Sequence, residues 1–256
     1  DVNIYYGIKT GLNEAFIIDT PVKERLCAED PKSAEILKPI LRGRDIKRYR
    51  YDWKGLWVIA TFPPLHVDID QYPAVKKHLL NFGKERLEQA GKTLADGTKS
   101  RKKTGNKWFE TQDQIGYYPE FEKEKVVYRE ISKNMDATIV NKGLFLTNKL
   151  YLVTGSNLRL LLGIFNSFLF KHVFLVSANL TGGKGIDYLG KIKIPPITPA
   201  NQPIASQIET LVDSILAAKK DNPQANTQEQ ERQIDQLVYQ LYGLTEEEIR
   251  IVEGKK

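Results

Sequence analysis

The chain has 256 residues, 41% hydrophobic and 27% charged, a balance that supports one substantial core beneath a polar surface. Its 38 lysines and arginines against 32 acids leave a net charge of +6, which favours polyanionic partners without naming one. Cys27 is the only cysteine, and His66, His78 and His172 are scattered, so an internal disulfide and a sequence-spaced zinc site are both excluded.

The lone thiol fits a reducing cytoplasm. No signal peptide is expected ahead of Asp1, because the chain opens directly in strand-like sequence. With Met135 as its single methionine and none at position 1, the chain reads as a fragment or a processed product.

Residues 4–6 and 15–18 read as two strands around a turn at 9–13, where Gly11 and Asn13 tolerate positive φ. Residues 21–28 predict a short helix, and 33–39 a weak helical or turn segment that stops at Pro39. A strand at 57–61 ends at Pro63-Pro64. Residues 72–90 place Val75, Leu79, Leu80 and Leu87 at helical spacing, with Pro73 in the first turn. Residues 91–106, rich in glycine, threonine and lysine, predict a long exposed loop.

Closely spaced strands follow at 125–131, 137–140, 144–146 and 150–153. Residues 157 to about 174 predict one buried helix. The apolar run 158–176 is interrupted by Asn166, Ser167, Lys171 and His172 and is short for a bilayer, so no membrane partner is expected. Residues 181–185 read as a flexible turn and 192–194 as a strand stopped by Pro195-Pro196.

The tail changes character. Ile204, Ile208, Leu211, Val212, Ile215 and Leu216 form an amphipathic stripe over 201–220, and Asn222-Pro223 breaks it. A second stripe carries Ile234, Leu237, Val238 and Leu241 to a stop at Gly243, before a short helix with an acidic first turn, Glu246-Glu247-Glu248. The fold class expected is α/β: a mixed α+β body over residues 1–200, then a helical C-terminal tail, 201–256, built as a hairpin.

Catalytic signatures are missing. An adenine methyltransferase needs an Asn/Asp-Pro-Pro-aromatic loop, and Phe62-Pro63-Pro64-Leu65 has neither the right first residue nor the aromatic. Gly182-Gly183-Lys184-Gly185 lacks the phosphate-loop spacing, and no Gly-x-Ser-x-Gly occurs. Glu122-Lys123-Glu124-Lys125, with Asp113 upstream, superficially resembles a metal-dependent nuclease motif, but such runs are common in solvated charged turns. No catalytic, cofactor-binding or metal-binding residue is assigned.

Two basic clusters stand out. Arg42, Arg44, Lys47, Arg48 and Arg50 fall within nine residues, interleaved with Tyr49 and Tyr51; Lys99, Arg101, Lys102, Lys103 and Lys107 lie in the loop that ends at Trp108. Lysine and arginine neutralise phosphates and release counterions, and arginine also pairs with guanine through two hydrogen bonds. A solvated surface explains either cluster alone equally well. Trp108 is placed to stack on a base or to enter the core, whereas Trp53 and Trp57 are expected in the core. Lys184, between glycines, is positioned to reach a phosphate. The candidate DNA contacts are therefore Arg42, Arg44, Lys47, Arg48, Lys99, Arg101, Lys102, Lys103, Lys107, Trp108 and Lys184.

A co-linear series of segments then resembles a known family. It runs through Gly7-Ile8-Lys9-Thr10-Gly11-Leu12-Asn13-Glu14-Ala15-Phe16-Ile17-Ile18, Leu37-Lys38-Pro39-Ile40-Leu41-Arg42-Gly43-Arg44-Asp45-Ile46 and Tyr72-Pro73-Ala74-Val75-Lys76-Lys77-His78-Leu79. It continues through Lys107-Trp108-Phe109-Glu110, Lys125-Val126-Val127-Tyr128-Arg129-Glu130-Ile131, Leu162-Gly163-Ile164-Phe165-Asn166-Ser167 and Ile192-Lys193-Ile194-Pro195-Pro196-Ile197. In that order these segments resemble the TaqI-like C-terminal specificity domain of type IIG restriction–modification enzymes and related adenine methyltransferases.

The resemblance implies duplex DNA as partner and a methyltransferase domain elsewhere in the same parent polypeptide. S-adenosylmethionine, with Mg as a further candidate, would be bound by that parent and not by this chain. The family pattern does not fix which residues touch bases, so the contacts named above rest on their chemistry. Three other readings stay open: a protein–protein docking module acting through the helical tail, a specificity subunit of a type I-like system, and an autonomous nuclease at residues 122–125.

Overall fold

A computed structural model describes residues 2–129, 136–180 and 193–254. Its strands are β1 (Val2–Tyr6), β2 (Ile17–Asp19), β3 (Leu37–Leu41), β4 (Ile46–Lys47), β5 (Arg50–Tyr51), β6 (Leu56–Ile59), β7 (Lys125–Arg129), β8 (Ala137–Val140), β9 (Phe145–Leu146) and β10 (Leu150–Gly155). The helices are α1 (Asn13–Phe16), α2 (Thr20–Glu29), α3 (Pro73–Leu80), α4 (Lys84–Leu87), α5 (Leu158–Asn166), α6 (Phe168–Leu180), α7 (Gln202–Asp221), α8 (Gln228–Tyr242) and α9 (Glu246–Glu253). The architecture is the mixed α/β body with C-terminal helices that the sequence predicts.

Two four-stranded sheets form the centre. The first has the order β1-β10-β7-β8 and is antiparallel throughout; the second has the order β2-β6-β3-β9, with β9 parallel to β3. The first sheet is covered on both faces, which explains why β7 reads as a continuous apolar run instead of an alternating one. Val126 and Tyr128 face the helices α5, α7 and α8, while Val127 between them faces the second sheet. On β10, Val153 takes the helix side and Leu150 and Leu152 the sheet side.

A third cluster packs Ile18, Leu37 and Ile59 against α2 and α3 through Leu26, Val75 and Leu79. The layers therefore run helices, sheet, sheet, helices. Helices α7 and α8 share one core with the first sheet: Ile208, Val212, Ile215, Ile234 and Val238 cluster with Val126 and Ile139.

Local chemistry sets the helix ends. The Asp19 side chain accepts from Val22 N at 3.0 Å and Pro21 sits in the first turn of α2. Gly83, at φ +84, separates α3 from α4 within the single helix expected there. Gly243, at φ +66, ends α8, and Thr245 and Glu248 cap α9 reciprocally, as their spacing predicts.

The structure corrects several expectations. Residues 4–18 are not a hairpin: β1 pairs with β10, residues 13–16 are helical, and β2 pairs with β6 in the other sheet. Pro39 does not end a helical segment but lies inside β3, opposite Trp57. The β9 pairing begins only at Ile40, so at the proline one flank of the strand has no ladder partner.

The helix expected over 157–174 is two helices bent by 65° at Ser167. The bend is held by Asn166, whose Oδ1 accepts from Ala137 N and whose Nδ2 donates to Ala137 O, both at 3.1 Å, and by Asp235, which accepts from Phe168 N at 2.8 Å. Among the described residues no single helix is long and apolar enough to cross a membrane. Lys193 and Ile194 are not in a strand, and Ile192 lies outside the described residues, as does the turn at 181–185. Trp53 is 40% exposed, not core, and stands edge-on to the half-buried Trp57 with ring centroids 5.4 Å apart.

Candidate nucleic-acid interface

Three chain segments meet at one end of the two sheets. Ile8 bridges Thr147 in parallel; Ile8 N donates to Leu146 O at 2.7 Å and Asn148 N to Ile8 O at 2.9 Å. Thr147 N in turn donates to Leu41 O at 2.9 Å, continuing the β3–β9 pairing. The residues that follow each segment are basic and solvent-accessible: Lys9 after Ile8, Arg42 and Arg44 after Leu41, and Lys149 after Asn148. A Cβ on Gly43 would lie 3.5 Å from Lys149 Cβ, so the Arg42–Arg44 turn and Lys149 are direct neighbours.

A fourth segment joins on the other side. Gln112 N and Asp113 N both donate to Lys9 O, at 3.2 and 3.3 Å. Asp113 is half-buried, and desolvation raises its carboxyl above the ordinary range while the charges of Lys9 and Lys102 oppose the rise. Lys9 and Lys102 thus both act on Asp113, and the loop that carries Lys102 adds its cations to this face.

That loop is ordered. Gly91 N donates to Arg101 O, Ser100 N to Lys92 O and Leu94 N to Thr98 O, and Thr93 bridges Lys99 in antiparallel fashion. Its turn is closed by Asp96, which accepts from Thr98 N and Oγ1. Lys99, Lys102, Lys103 and Lys107 are exposed on it. The expectation of a long exposed loop is therefore met only in part: a small hairpin with a buried base replaces the structureless stretch.

Arg101 forms the base and is corrected as a DNA contact. It is 3% exposed, and its guanidinium donates to the carbonyls of Leu87, Thr10, Glu110 and Trp108 at 2.6–2.8 Å. It also lies over the Phe16 ring at 4.9 Å. Burial pulls its pKa down to about 10, with Glu110 opposing, so it stays charged at neutral pH. Gly11, at φ +83, leaves room for it: a Cβ there would sit 2.9 Å from Arg101 Cδ.

The first cluster divides. Arg42 is paired with the buried Asp45, Nη2 to Oδ1 at 3.0 Å and Nε to Oδ2 at 3.1 Å, so it shapes the turn. Arg44 is exposed, with no partner among the described residues. Lys47 is half-buried in the β4–β5 hairpin, opposite Arg50.

Arg48 does not join the rim. It pairs with Glu231, donates to Asn166 O, and lines a cleft of about 440 Å³ with Lys171, Arg232 and Asp235. Trp108 is half-buried against the third core cluster, edge-on to Phe109 at 5.5 Å. Lys184 lies outside the described residues.

Sequence reasoning missed Lys9 and Lys149, since each stands alone in the sequence and joins the rim only through the Ile8–Thr147 bridge and the β3–β9 pairing. The Glu122–Lys125 segment is structural. Lys125 is fully buried and its Nζ donates to the carbonyls of Phe121, Lys123 and Asn141, while Glu124 pairs with Arg159. Among the described residues no group of three His, Cys, Asp or Glu side chains could hold a metal ion.

Comparison with known proteins gives a family. The family model described as TaqI-like C-terminal specificity domain matches residues 38–189, more than half of the chain. No curated protein matches. Among solved structures, the type IIL restriction–modification enzyme MmeI, determined in complex with DNA, superposes with TM-score 0.63 at 16% identity, covering 98% of this chain and 34% of that one. The type IIG restriction endonuclease BpuSI superposes with TM-score 0.43 at 14% identity, covering 93% of this chain and 30% of that one. The chain thus spans about a third of the length of these enzymes, and its likeness to MmeI is one of fold. By the match over residues 38–189, the chain belongs to the TaqI-like C-terminal specificity domain family.

Proposed function

We propose that this chain is the DNA target-recognition domain of a restriction–modification enzyme and docks on duplex DNA through the rim formed by Lys9, Arg44, Lys149 and the Lys99–Lys107 loop. The observation that carries the reading is the convergence of Ile8, β3 and β9 around Thr147, which brings together cations that are far apart in the sequence. A phosphate backbone presents charges in a row, and a contiguous basic rim matches that row where scattered surface lysines would not. The family assignment and the fold shared with MmeI support it.

In this reading the chain does no bond-making. It fixes the register on DNA of a parent enzyme whose adenine methyltransferase domain carries the chemistry, in the cytoplasm. S-adenosylmethionine, with Mg as a further candidate, enters as the parent's cofactor. The parallel pairing of β3 with β9 leads into the tight Arg42–Asp45 turn and not into a glycine-rich loop, so that turn offers S-adenosylmethionine no cradle.

Fluorescence anisotropy with a randomised labelled duplex tests the proposal. Binding should weaken linearly in log–log form with salt, and a subset of sequences should survive competition by bulk DNA. No binding at low salt, or equal retention of every sequence, would sink it.

A further inference from the structure

Gln114 follows Asp113, whose N–H is held by Lys9 O, on a segment fixed at several points. Thr111 N donates to Thr61 O at 3.0 Å, Gln112 N and Asp113 N to Lys9 O, and Tyr118 N to Ile115 O at 3.0 Å. Tyr117 Oη donates to Tyr6 O at 2.8 Å, and its ring stacks on Tyr5 at 4.8 Å. Ile115, next to Gln114, is 1% exposed and sits in the core between the two sheets, yet its φ is +51. A β-branched residue in left-handed backbone is disfavoured by about 1–3 kcal/mol and persists only where its surroundings over-determine it. Here the buried side chain pins the strained turn, and the turn leaves Gln114 exposed.

The carboxamide itself is oriented. Gln114 Nε2 donates to Asn106 Oδ1 at 2.8 Å, and Asn106 is fixed in turn by donating to Thr111 O and Gln112 O, both at 3.0 Å. Gln114 Oε1 and the second amide hydrogen have no partner among the described residues. What remains is one acceptor beside one donor, on the residue after Asp113, whose carboxyl feels the charges of Lys9 and Lys102. That pair of groups complements the donor–acceptor edge an adenine presents in the major groove, N6–H and N7.

We infer that Gln114 reads an adenine base edge in the target, with Lys9 and Lys102 holding the neighbouring phosphates. The inference rests on the proposed DNA-reading role and names a specificity-determining side chain for it. The strained turn then has a purpose: base reading by two hydrogen bonds needs a side chain whose root does not move, because orientation lost on binding weakens the discrimination.

The test is selection of a random duplex library by the wild-type chain, Gln114→Ala and Gln114→Glu, with thermal melts of all three. The wild type should enrich a motif with a fixed adenine in one column. Gln114→Ala should melt with the wild type and keep the rest of the motif. That one column should flatten, and affinity for the wild-type motif should fall about tenfold to a hundredfold.

Gln114→Glu, which offers only acceptors, should shift the column toward cytosine. A motif unchanged in both variants overturns the inference while leaving the DNA-reading role standing. A wild type that enriches no motif overturns both.

Discussion

Arg101 Nη1 donates to the carbonyl of Thr10 at 2.8 Å, across 91 residues of chain, and so ties the foot of the basic loop to the segment that follows the Ile8–Thr147 bridge. The same guanidinium serves Leu87 and, within one turn, Trp108 and Glu110, so it joins three other segments to its own loop. Arg101→Met would leave these carbonyls without their donor. The expected loss is about 4 kcal/mol, since unsatisfied buried polar groups each cost about 1–3 kcal/mol and do not add fully. Urea denaturation measures it. Arg101→Lys should recover only a fraction, because an ammonium cannot reproduce the planar fork.

Removing exposed cations should act in the opposite way. Lys102→Ala combined with Lys103→Ala should leave the melting temperature unchanged and lower DNA affinity by a similar factor for every sequence. The salt slope should become shallower by about 1–2. A titration series from low to moderate salt gives the slope, and a sequence-selective loss would assign these lysines a base-reading role instead.

Lys125 gives a pH signature. Burial pulls its pKa down to about 8, below the ordinary lysine value of about 10.4. Below pH 8 both folded and unfolded chains carry the ammonium and the burial penalty is fully present. Between pH 8 and about 10.4 the unfolded chain binds more protons, so this residue's contribution to stability improves as pH rises. Relative to Lys125→Met, the wild type should therefore gain up to about 3 kcal/mol across that window. Parallel chemical denaturation at several pH values reads the difference, and a constant offset would contradict it.

Asp235 has the inverse behaviour. It is 4% exposed and its pKa is raised to about 6, first by desolvation and also by Glu231 and Glu253, against the Phe168 N–H and Arg48. Folding takes up a proton between about pH 4 and pH 6, so the cost of the buried carboxylate is present above pH 6 and absent below pH 4. Asp235→Asn keeps an acceptor for Phe168 N and should stabilise the chain at pH 8 by up to about 2 kcal/mol. The gain should vanish near pH 4, which a pH series of thermal melts would show.

Gly163 reverses a general rule. In a helix interior, Gly→Ala normally stabilises by about 0.5–1 kcal/mol. Here a Cβ would lie 2.6 Å from Ile208 Cγ2 and 3.3 Å from Val212 Cγ2, both fully buried on α7. Gly163→Ala should destabilise by about 1–3 kcal/mol through overpacking. Equal or higher stability of the variant would show that α7 can move away from α5.

Much of the fold was legible because periodicity reports burial. Helices α7 and α8 follow their apolar spacing, and β7, β8 and β10 follow their apolar runs. The errors arose where tertiary contacts outweigh local pattern. Residues 4–18 looked like a hairpin because a strand gives no sign of whether its partner lies ten or 150 residues away. The α5–α6 bend was hidden because Asn166 and Ser167 read as interruptions in one helix, while their purpose, pairing with Ala137 and exposing Phe168 N to Asp235, lies in distant segments.

The interface was less legible than the fold. Arg101 and Lys102 are adjacent cations in one polar loop, yet one is buried and the other exposed. Their composition is the same to a sequence reader; only the four facing carbonyls distinguish them. Lys9 carried no signal because its neighbours in the rim come from β3 and β9.

The interlacing of the two sheets also dictates an order of events. β1 has no ladder partner until residues 150–155 exist, and β3 lacks its parallel neighbour until residues 145–146 exist. A growing chain must therefore hold its first strand unpaired while some 140 further residues leave the ribosome. Exchanging target sites between relatives by recombination faces the same constraint. A crossover inside residues 10–145 would join halves of two different ladders, whereas exchanging the whole stretch through Gly155 would carry every strand with its own partner.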